Sequence, residues 1–250
     1  MIRRNNLIVC CLVFLSLILN CFGRLPSSIT PCSRNTPNIE SCIIAEANKL
    51  KPLLAIGDLG DGFHMPPMEP LSLDRIIIRP SPEFNAVFTN LQVNGPTAFV
   101  VEKLKADVPN LTFDFSVFLP KLNFTGNYAL KMRLLLFNIQ GQGPITGTFY
   151  NSRGVVRLRG QRVNRNGGEY ISFNQLDVKM EVGKSKLKLD NLFNGDPVLS
   201  QVGNAFINEN TDLFISELIP GLEKSLSKSF LEMVNVIMKD VTFDELFPDS

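Results

Sequence analysis

Apolar and polar residues alternate through the middle part of the chain. The alternation is clearest in residues 111–119, where every second residue is apolar, as in a strand that buries one face. The predicted strands are 71–79, 84–93, 97–105, 111–119, 126–137, 145–150, 154–163, 169–182 and 184–190. The turn sequences Asn94-Gly95, Asn166-Gly167-Gly168 and Gly183-Lys184 favour hairpins, so we expect an antiparallel meander.

A helical period flanks this region on both sides. Between residues 39 and 54, apolar residues recur three or four positions apart, which predicts a helix. Pro37 suits its first position, and Pro52 should end or kink it. From residue 197 to about 239 the period predicts one very long helix or two in series, which Pro220 should kink or break. The apolar stripe of this C-terminal helix consists of Ile215, Ile219, Leu222, Leu226, Phe230, Met233 and Ile237.

The strands and the C-terminal helix each have one apolar surface that must be buried. The most economical arrangement buries the two surfaces against each other. We therefore predict an α+β fold in which a strongly curved antiparallel sheet wraps the long C-terminal helix. No internal repeat or second domain boundary is visible, which predicts a single domain over residues 24–250.

The first 23 residues have the features of a secretory signal. Arg3 and Arg4 precede the apolar run 7–19, which is shorter than the roughly 20 residues that a membrane-spanning helix needs, although an uncleaved anchor is the alternative. Cleavage after Gly23 would remove two of the 25 basic residues and none of the 24 acidic ones, leaving a net charge of −1. We expect a secreted, extracellular protein that neither binds nucleic acid nor inserts stably into membranes.

Cleavage would also remove three of the five cysteines and leave Cys32 and Cys42. Two cysteines so close together in an oxidising compartment predict a disulfide, which would stabilise the protein by roughly 2–3 kcal/mol. The alternative is a metal site, but these two cysteines and the single distant His64 cannot complete one. We expect neither a metal nor a cofactor.

Two sequons, Asn110-Leu111-Thr112 and Asn123-Phe124-Thr125, are candidate N-glycosylation sites in a secreted chain. Each asparagine lies beside a predicted strand, at a turn-like position where exposure to solvent is expected. We predict that at least one of them carries a glycan.

Side chains for enzymatic catalysis are scarce. Because His64 is the single histidine, the chain has almost no residues from which a histidine-based catalytic triad or a multi-histidine zinc site could be built. The chain has no Gly-x-Ser-x-Gly elbow and no phosphate-binding Gly-x-x-x-x-Gly-Lys motif, and the run Gly141-Gln142-Gly143 lacks the third glycine of a dinucleotide fingerprint. Asp58 and Asp61 are explained by a solvated glycine turn. We therefore predict that the protein is not an enzyme.

A series of short motifs runs through the chain in a specific order. The motifs are Cys32 and Cys42 before the first helix, 65–71 (MPPMEPL), Asn94-Gly95 with 99–101 (FVV), 119–122 (LPKL), 126–128 (GNY), 141–143 (GQG), 191–195 (NLFNG), 208–210 (NEN), 217–220 (ELIP) and 245–248 (ELFP). In this order, over nearly all of the chain after the signal, they resemble the takeout and juvenile-hormone-binding protein family of secreted insect proteins.

The resemblance implies a fold of the tubular lipid-binding (TULIP) type, with an internal hydrophobic tunnel. It implies a carrier that binds and sequesters a small hydrophobic ligand, such as a terpenoid hormone or a fatty-acid-like molecule, in circadian, feeding or chemosensory physiology. We expect the carrier to be a monomer. Hormone carriers of the family tend to have a second disulfide, whereas Cys32 and Cys42 are one pair, which favours the takeout-like branch.

If the sheet wraps the helix, the ligand lies between the aromatic strand face and the helix stripe. The candidate lining residues are Phe113, Phe115, Val117, Leu134, Leu136, Leu222, Leu226, Phe230 and Met233. Alternation places 113, 115 and 117 on one strand face, and Leu134 and Leu136 on the face of another strand. Flexible Met132, Met233 and Met238 would suit an adaptable lining, although phenylalanine and methionine also fill ordinary cores.

Three other functions remain open. The first is a secreted protein that recognises membrane lipids or acts in defence, which the nearly neutral charge disfavours. The second is an extracellular enzyme. The third is a signalling protein with a filled core and no cavity.

Overall fold

The computed structural model describes residues 25–165 and 167–249. The signal sequence predicted for residues 1–23 therefore lies outside the described residues. The helices are α1 (Ile39–Ile56), α2 (Pro197–Glu209), α3 (Thr211–Met238) and α4 (Phe243–Leu246). The strands are β1 (Leu71–Ser81), β2 (Phe84–Asn94), β3 (Val100–Asp107), β4 (Thr112–Leu134), β5 (Phe137–Arg165), β6 (Gly168–Glu181) and β7 (Lys184–Leu189).

A hairpin of two very long strands, β4 and β5, forms the centre of a single antiparallel sheet. Each long strand pairs with two short strands along successive parts of its length. Strands β3 and β2 pair with β4, strands β6 and β7 pair with β5, and β1 pairs with β2. The predicted α+β architecture with a curved antiparallel sheet is confirmed, but the strands do not follow one another as a simple meander.

The strand connections correct two predicted hairpins. After Asn94-Gly95 the chain forms a 3-10 turn, and β2 and β3 both pair with β4 instead of with each other. After Gly183-Lys184, β7 pairs with β5 instead of with β6. Of the three turn signals, the one at residues 166–168 does join paired strands, since Arg165 pairs with Gly168. A glycine turn reverses the direction of the chain locally. It does not determine which strand still has an unpaired edge with which the next strand can pair.

The turn between β4 and β5 lies at Leu135-Leu136, where Leu135 adopts a φ of 55°. Two leucines carry no turn signal, so the pattern predicted an uninterrupted strand through them. Conversely, the run Gly141-Gln142-Gly143, which resembles a glycine turn, lies inside β5. There a Cβ at Gly143 would stand 2.7 Å from the Asp190 carbonyl oxygen, so glycine permits a close approach of two chain segments.

The interior face of the sheet changes once along both long strands. In β4 the odd-numbered residues from Phe113 to Leu119 border the apolar space between sheet and helices, whereas from Leu122 onward the even-numbered residues are the more buried ones. In β5 the interior residues change from odd to even between Phe149 and Ser152. Leu119 pairs with Ser152 and Leu122 pairs with Phe149, so the two strands change face at the same place. This change divides the sheet into two successive halves that face different parts of α3.

Polar side chains of α2 and α3 form hydrogen bonds with backbone groups at the free edges of the sheet. The amide of Asn204 in α2 both accepts from and donates to the backbone of Leu189 in β7, at 2.8 Å in each case. Asn235 in α3 does the same to Phe173 in β6, at 2.9 and 2.7 Å. Because an edge strand presents unpaired N–H and C=O groups, a side-chain amide, which has a donor and an acceptor, can substitute for a neighbouring strand. These contacts fix α2 and α3 along β7 and β6.

The prolines do not interrupt the helices where the sequence suggested. Helix α3 continues through Pro220, and the break between α2 and α3 lies ten residues earlier, at Asn210, whose φ is −118°. Helix α1 continues past Pro52 to Ile56 and ends at Gly57. Both prolines are exposed, so their rings lie on the solvent side while the opposite face of each helix packs. No helix within residues 25–165 and 167–249 is long and apolar enough to cross a membrane.

The predicted disulfide between Cys32 and Cys42 is present, with Cα atoms 6.0 Å apart. It attaches the extended N-terminal segment to the first turns of α1. The same segment contacts the C-terminus, where the Arg34 backbone N–H donates to the Pro248 carbonyl at 2.9 Å. The two ends of the described chain are therefore held together next to α1.

The packing of α3 generates a stability prediction. Phe214 is fully buried in the core, whereas its neighbour Leu213 is 46 % exposed. We expect Phe214→Ala to lower the free energy of unfolding by about 3–5 kcal/mol, because it removes a large buried side chain and leaves a cavity. Leu213→Ala, the matched control, should change it by only about 0.5 kcal/mol. Urea denaturation measures both values, and similar losses for the two variants would contradict this orientation of α3.

Candidate functional site

Two apolar cavities lie between the sheet and the helices. Cavity A, of about 480 Å³, is bounded by α1, β3, the first half of β4, β5, β6 and the C-terminal half of α3. Cavity B, of about 180 Å³, is bounded by β1, β2, β4, β5, β6, β7 and the part of α3 from Phe214 to Phe230. Their walls are formed mainly by leucine, isoleucine, valine, phenylalanine and methionine side chains, which favour an apolar occupant over water.

The two cavities share part of their walls. Pro96, Val117, Leu119 and Phe230 line both of them. Val117 and Leu119 are the last interior residues of β4 before the sheet changes face, and Phe230 lies opposite them on α3. The junction between the cavities therefore coincides with the change of interior face.

Seven of the nine residues predicted to line a ligand site border the cavities. Phe113, Phe115 and Met233 line cavity A, Leu222 and Leu226 line cavity B, and Val117 and Phe230 line both. The alternation in β4 and the stripe of α3 bring these residues together, as predicted. Whether any of them contacts a ligand stays a prediction.

Leu134 and Leu136 line neither cavity. Leu134 is buried in the core at the far end of β4, and Leu136 is 84 % exposed in the turn that follows. The prediction that they share a strand face is wrong, because the chain turns at Leu135-Leu136 before the next interior position is reached. Met132, a candidate for an adaptable lining, is likewise buried in the core, while Met233 and Met238 do line cavity A.

Residues of α1 and of the following loop form a wall of cavity A that the sequence-based site did not include. Ile43, Ile44 and Ala47 point into this cavity from α1, and Met65 and Met68 do so from the loop before β1. The apolar stripe of α1 was visible in the sequence. Nothing in the pattern indicated that α1 lies over the same space as α3, because that depends on long-range packing.

The charged side chain in the wall of cavity B is directed away from the cavity. Within the described chain, the polar side chains among the lining residues belong to Ser152 and Arg153. The Arg153 guanidinium lies 3.2 Å from the carboxylate of Glu102 and over the ring of Phe118, 5.4 Å from its centroid.

In the adjacent core, burial raises the pKa of Tyr128 to about 12, with a smaller contribution from Asp190, so this phenol stays neutral at physiological pH.

The two candidate glycosylation sites are both exposed. Asn110 lies in the turn between β3 and β4, where its side-chain amide donates to Asp107 at 2.9 Å. Asn123 lies in the middle of β4 and not at a turn, contrary to the prediction, and its amide oxygen accepts from the hydroxyl of Thr148 at 3.0 Å. It faces outward because Leu122, its neighbour, faces the interior.

A curved antiparallel sheet that wraps a long helix, with apolar cavities between the sheet and the helix, defines the class of tubular lipid-binding folds. Takeout 1 from Epiphyas postvittana has the same fold, with a TM-score of 0.74 and 19% identity over 83% of this chain and 95% of that one. Residues 7–248 match the family described as haemolymph juvenile hormone binding protein (JHBP). The chain belongs to this family, as the sequence motifs suggested.

Two curated relatives are similar over most of their length. A putative beta-carotene-binding protein from Schistocerca gregaria is 23% identical over 86% of this chain and 86% of its own. The circadian clock-controlled protein daywake from Drosophila yakuba is 22% identical over 95% of this chain and 96% of its own. The family is one of carriers that bind lipophilic molecules, not a family of enzymes.

Leu226 provides a test of whether cavity B is open space. We expect Leu226→Trp to lower the free energy of unfolding by less than about 1 kcal/mol, because the indole can enter the cavity, and to weaken binding of a fluorescent fatty-acid probe. Leu192→Trp is the matched control in a fully buried position outside the cavities, where overpacking should cost about 1–3 kcal/mol. Thermal melts and probe titrations measure both effects. A large loss of stability at Leu226, with unchanged binding per folded molecule, would place this residue in a filled core.

Proposed function

We propose that this protein is a secreted carrier that binds and sequesters a small lipophilic ligand in one continuous tunnel formed by cavities A and B. The observation that carries the proposal is the shared apolar wall at Pro96, Val117, Leu119 and Phe230. Small side-chain movements there would connect the two spaces. The presence of such volume between sheet and helix favours a carrier over a signalling protein with a filled core.

The energetics of burial support sequestration by shape and apolar contact. An aliphatic ligand of about fifteen carbons gains up to ~0.8 kcal/mol per buried methylene, or ~12 kcal/mol before the costs of binding. Losses of several kcal/mol in translational, rotational and conformational freedom leave a dissociation constant between micromolar and nanomolar. With few polar groups in the wall, specificity would depend mainly on the length and width of the tunnel.

The relatives support a lipophilic ligand class. The names of the Schistocerca gregaria relative and of the family refer to beta-carotene and to juvenile hormone, two different lipophilic molecules. The proposed ligand is accordingly terpenoid or fatty-acid-like. The name of the Drosophila yakuba relative supports a role in circadian physiology. Secretion is supported by the predicted signal at residues 1–23 and by the Cys32–Cys42 disulfide.

Native mass spectrometry tests the carrier function directly. Protein secreted from insect cells and purified gently should retain a small molecule, seen as a mass excess that disappears when the protein is unfolded. The retained molecule should be an organic-soluble lipid, and Leu226→Trp should reduce the bound fraction relative to the exposed-site control Leu213→Trp. Repeated isolation of the wild-type chain without any bound molecule, together with failure to take up added lipids, would refute the proposal.

Glycosylation of the secreted protein is a separate prediction. Asn110, in an exposed turn, should carry a glycan when the protein is made in insect cells. Asn110→Gln should then increase electrophoretic mobility, and Asn123→Gln reports in the same way on the exposed site within β4. Glycosidase treatment of the wild-type protein supplies the reference mobility. If this treatment leaves the mobility unchanged, neither sequon is used.

A further inference from the structure

Ser152 is a buried polar residue in an otherwise apolar wall. The residue is 1 % exposed and lines cavity B from the interior face of β5. Among the described residues, its hydroxyl oxygen has no hydrogen-bond partner. Buried hydroxyls in folded proteins are nearly always hydrogen-bonded, because burial removes the hydrogen bonds that water would make. The residue lines cavity B, so rotation of its side chain about the Cα–Cβ bond can turn the hydroxyl towards an occupant that supplies a partner.

The position of Ser152 is central in the proposed tunnel. It pairs across the β4–β5 ladder with Leu119, which lines both cavities. The next interior residue of β5 is Gly154, where an added Cβ would stand 3.2 Å from a methyl group of Val117. The Val117 side chain therefore covers the backbone at Gly154, and Ser152 is the polar side chain of β5 nearest to the junction.

The charges around Ser152 limit the kind of occupant. Arg153, the one charged residue among the described residues of the wall, directs its guanidinium to Glu102 on the outer face of the sheet. An anionic head group at Ser152 would therefore be buried without a cation to compensate it, which is strongly unfavourable. A neutral oxygen can accept a hydrogen bond from the hydroxyl without this penalty.

We propose that the Ser152 hydroxyl is the hydrogen-bonding anchor of the tunnel and that it selects neutral lipophiles with an oxygen atom, such as esters and alcohols. This inference rests on the proposed carrier function and adds a residue that determines specificity. A saturated hydrocarbon lacks the acceptor, and a fatty-acid anion cannot place its charge at this position. A single hydrogen bond formed in exchange for water should change affinity by roughly three- to tenfold.

The test compares four ligands of equal chain length: dodecyl acetate, dodecanol, dodecane and dodecanoate. Each displaces the neutral probe N-phenylnaphthylamine from the wild-type protein and from Ser152→Ala. Ser116→Ala is the matched control, since Ser116 pairs with the exposed Val155 on the outer face of the same two strands. We expect Ser152→Ala to weaken the ester and the alcohol by roughly three- to tenfold and to leave dodecane unchanged. Ser116→Ala should change none of the four.

Stability supplies a second readout. Ser152→Ala should keep or raise the Tm of the ligand-free protein, because it removes a hydroxyl that has no partner within the described chain. A lowered Tm with unchanged affinities would mean that an internal water satisfies the hydroxyl, and it would overturn the inference. Tightest binding of dodecanoate, weakened by Ser152→Ala, would overturn the preference for neutral ligands.

The outcomes separate the inference from the function on which it rests. If all four ligands bind and Ser152→Ala leaves their relative affinities unchanged, the anchor is refuted and the carrier function stands. If none of them displaces the probe from the wild-type protein, and the probe itself binds no more tightly than to Leu226→Trp, the carrier function fails and the anchor with it.

Discussion

The simultaneous change of interior face in β4 and β5 is the constraint on which the architecture depends. Strict alternation along strands this long would direct half of their apolar side chains into solvent. Because Leu119 pairs with Ser152 and Leu122 pairs with Phe149, both strands shift by one residue at the same level. Pro120, which has no N–H to donate, and Asn151, with a φ of 51°, occupy the positions where the shift occurs. The sheet can therefore present apolar faces to both halves of α3.

Hydrogen bonds at the edges of the sheet explain how the sheet can wrap α3 without packing tightly against every side of this helix. Asn204 and Asn208 in α2 pair with the backbone of β7, and Ser227 and Asn235 in α3 bond to the backbone of β6. These hydrogen bonds hold the helices at the edges through directed contacts. The apolar stripe of α3 then faces the concave middle of the sheet, where position is already determined by the edges. Space can persist there, because closing it would require these edge contacts to move.

The sequence predicted those features that local periodicity controls. The face of Phe113, Phe115 and Val117 and the stripe of Leu222, Leu226, Phe230 and Met233 are set by alternation and by the helical turn, and both border the cavities. Strand pairing could not be predicted, because the choice of β4 as a partner for both β2 and β3 depends on contacts distant in sequence. The turn at Leu135-Leu136 has no local signal, which is why Leu134 and Leu136 were misplaced. The edge-binding asparagines resemble ordinary polar helix residues until the sheet is in place.

An open apolar cavity forfeits dispersion contacts that a filled core would make. In this fold the loss of contacts is confined to the concave middle of the sheet. The two ends of the described chain are held by the Cys32–Cys42 disulfide and by the core around Phe243. A ligand that occupies cavities A and B restores the missing contacts, so binding and folding stability are thermodynamically coupled through RT ln(1 + [L]/Kd). The same change of face that provides two interior surfaces places Ser152 at their junction, in the wall that such a ligand would touch. If the proposed function and anchor hold, selectivity and stability depend on the same few residues of β4 and β5.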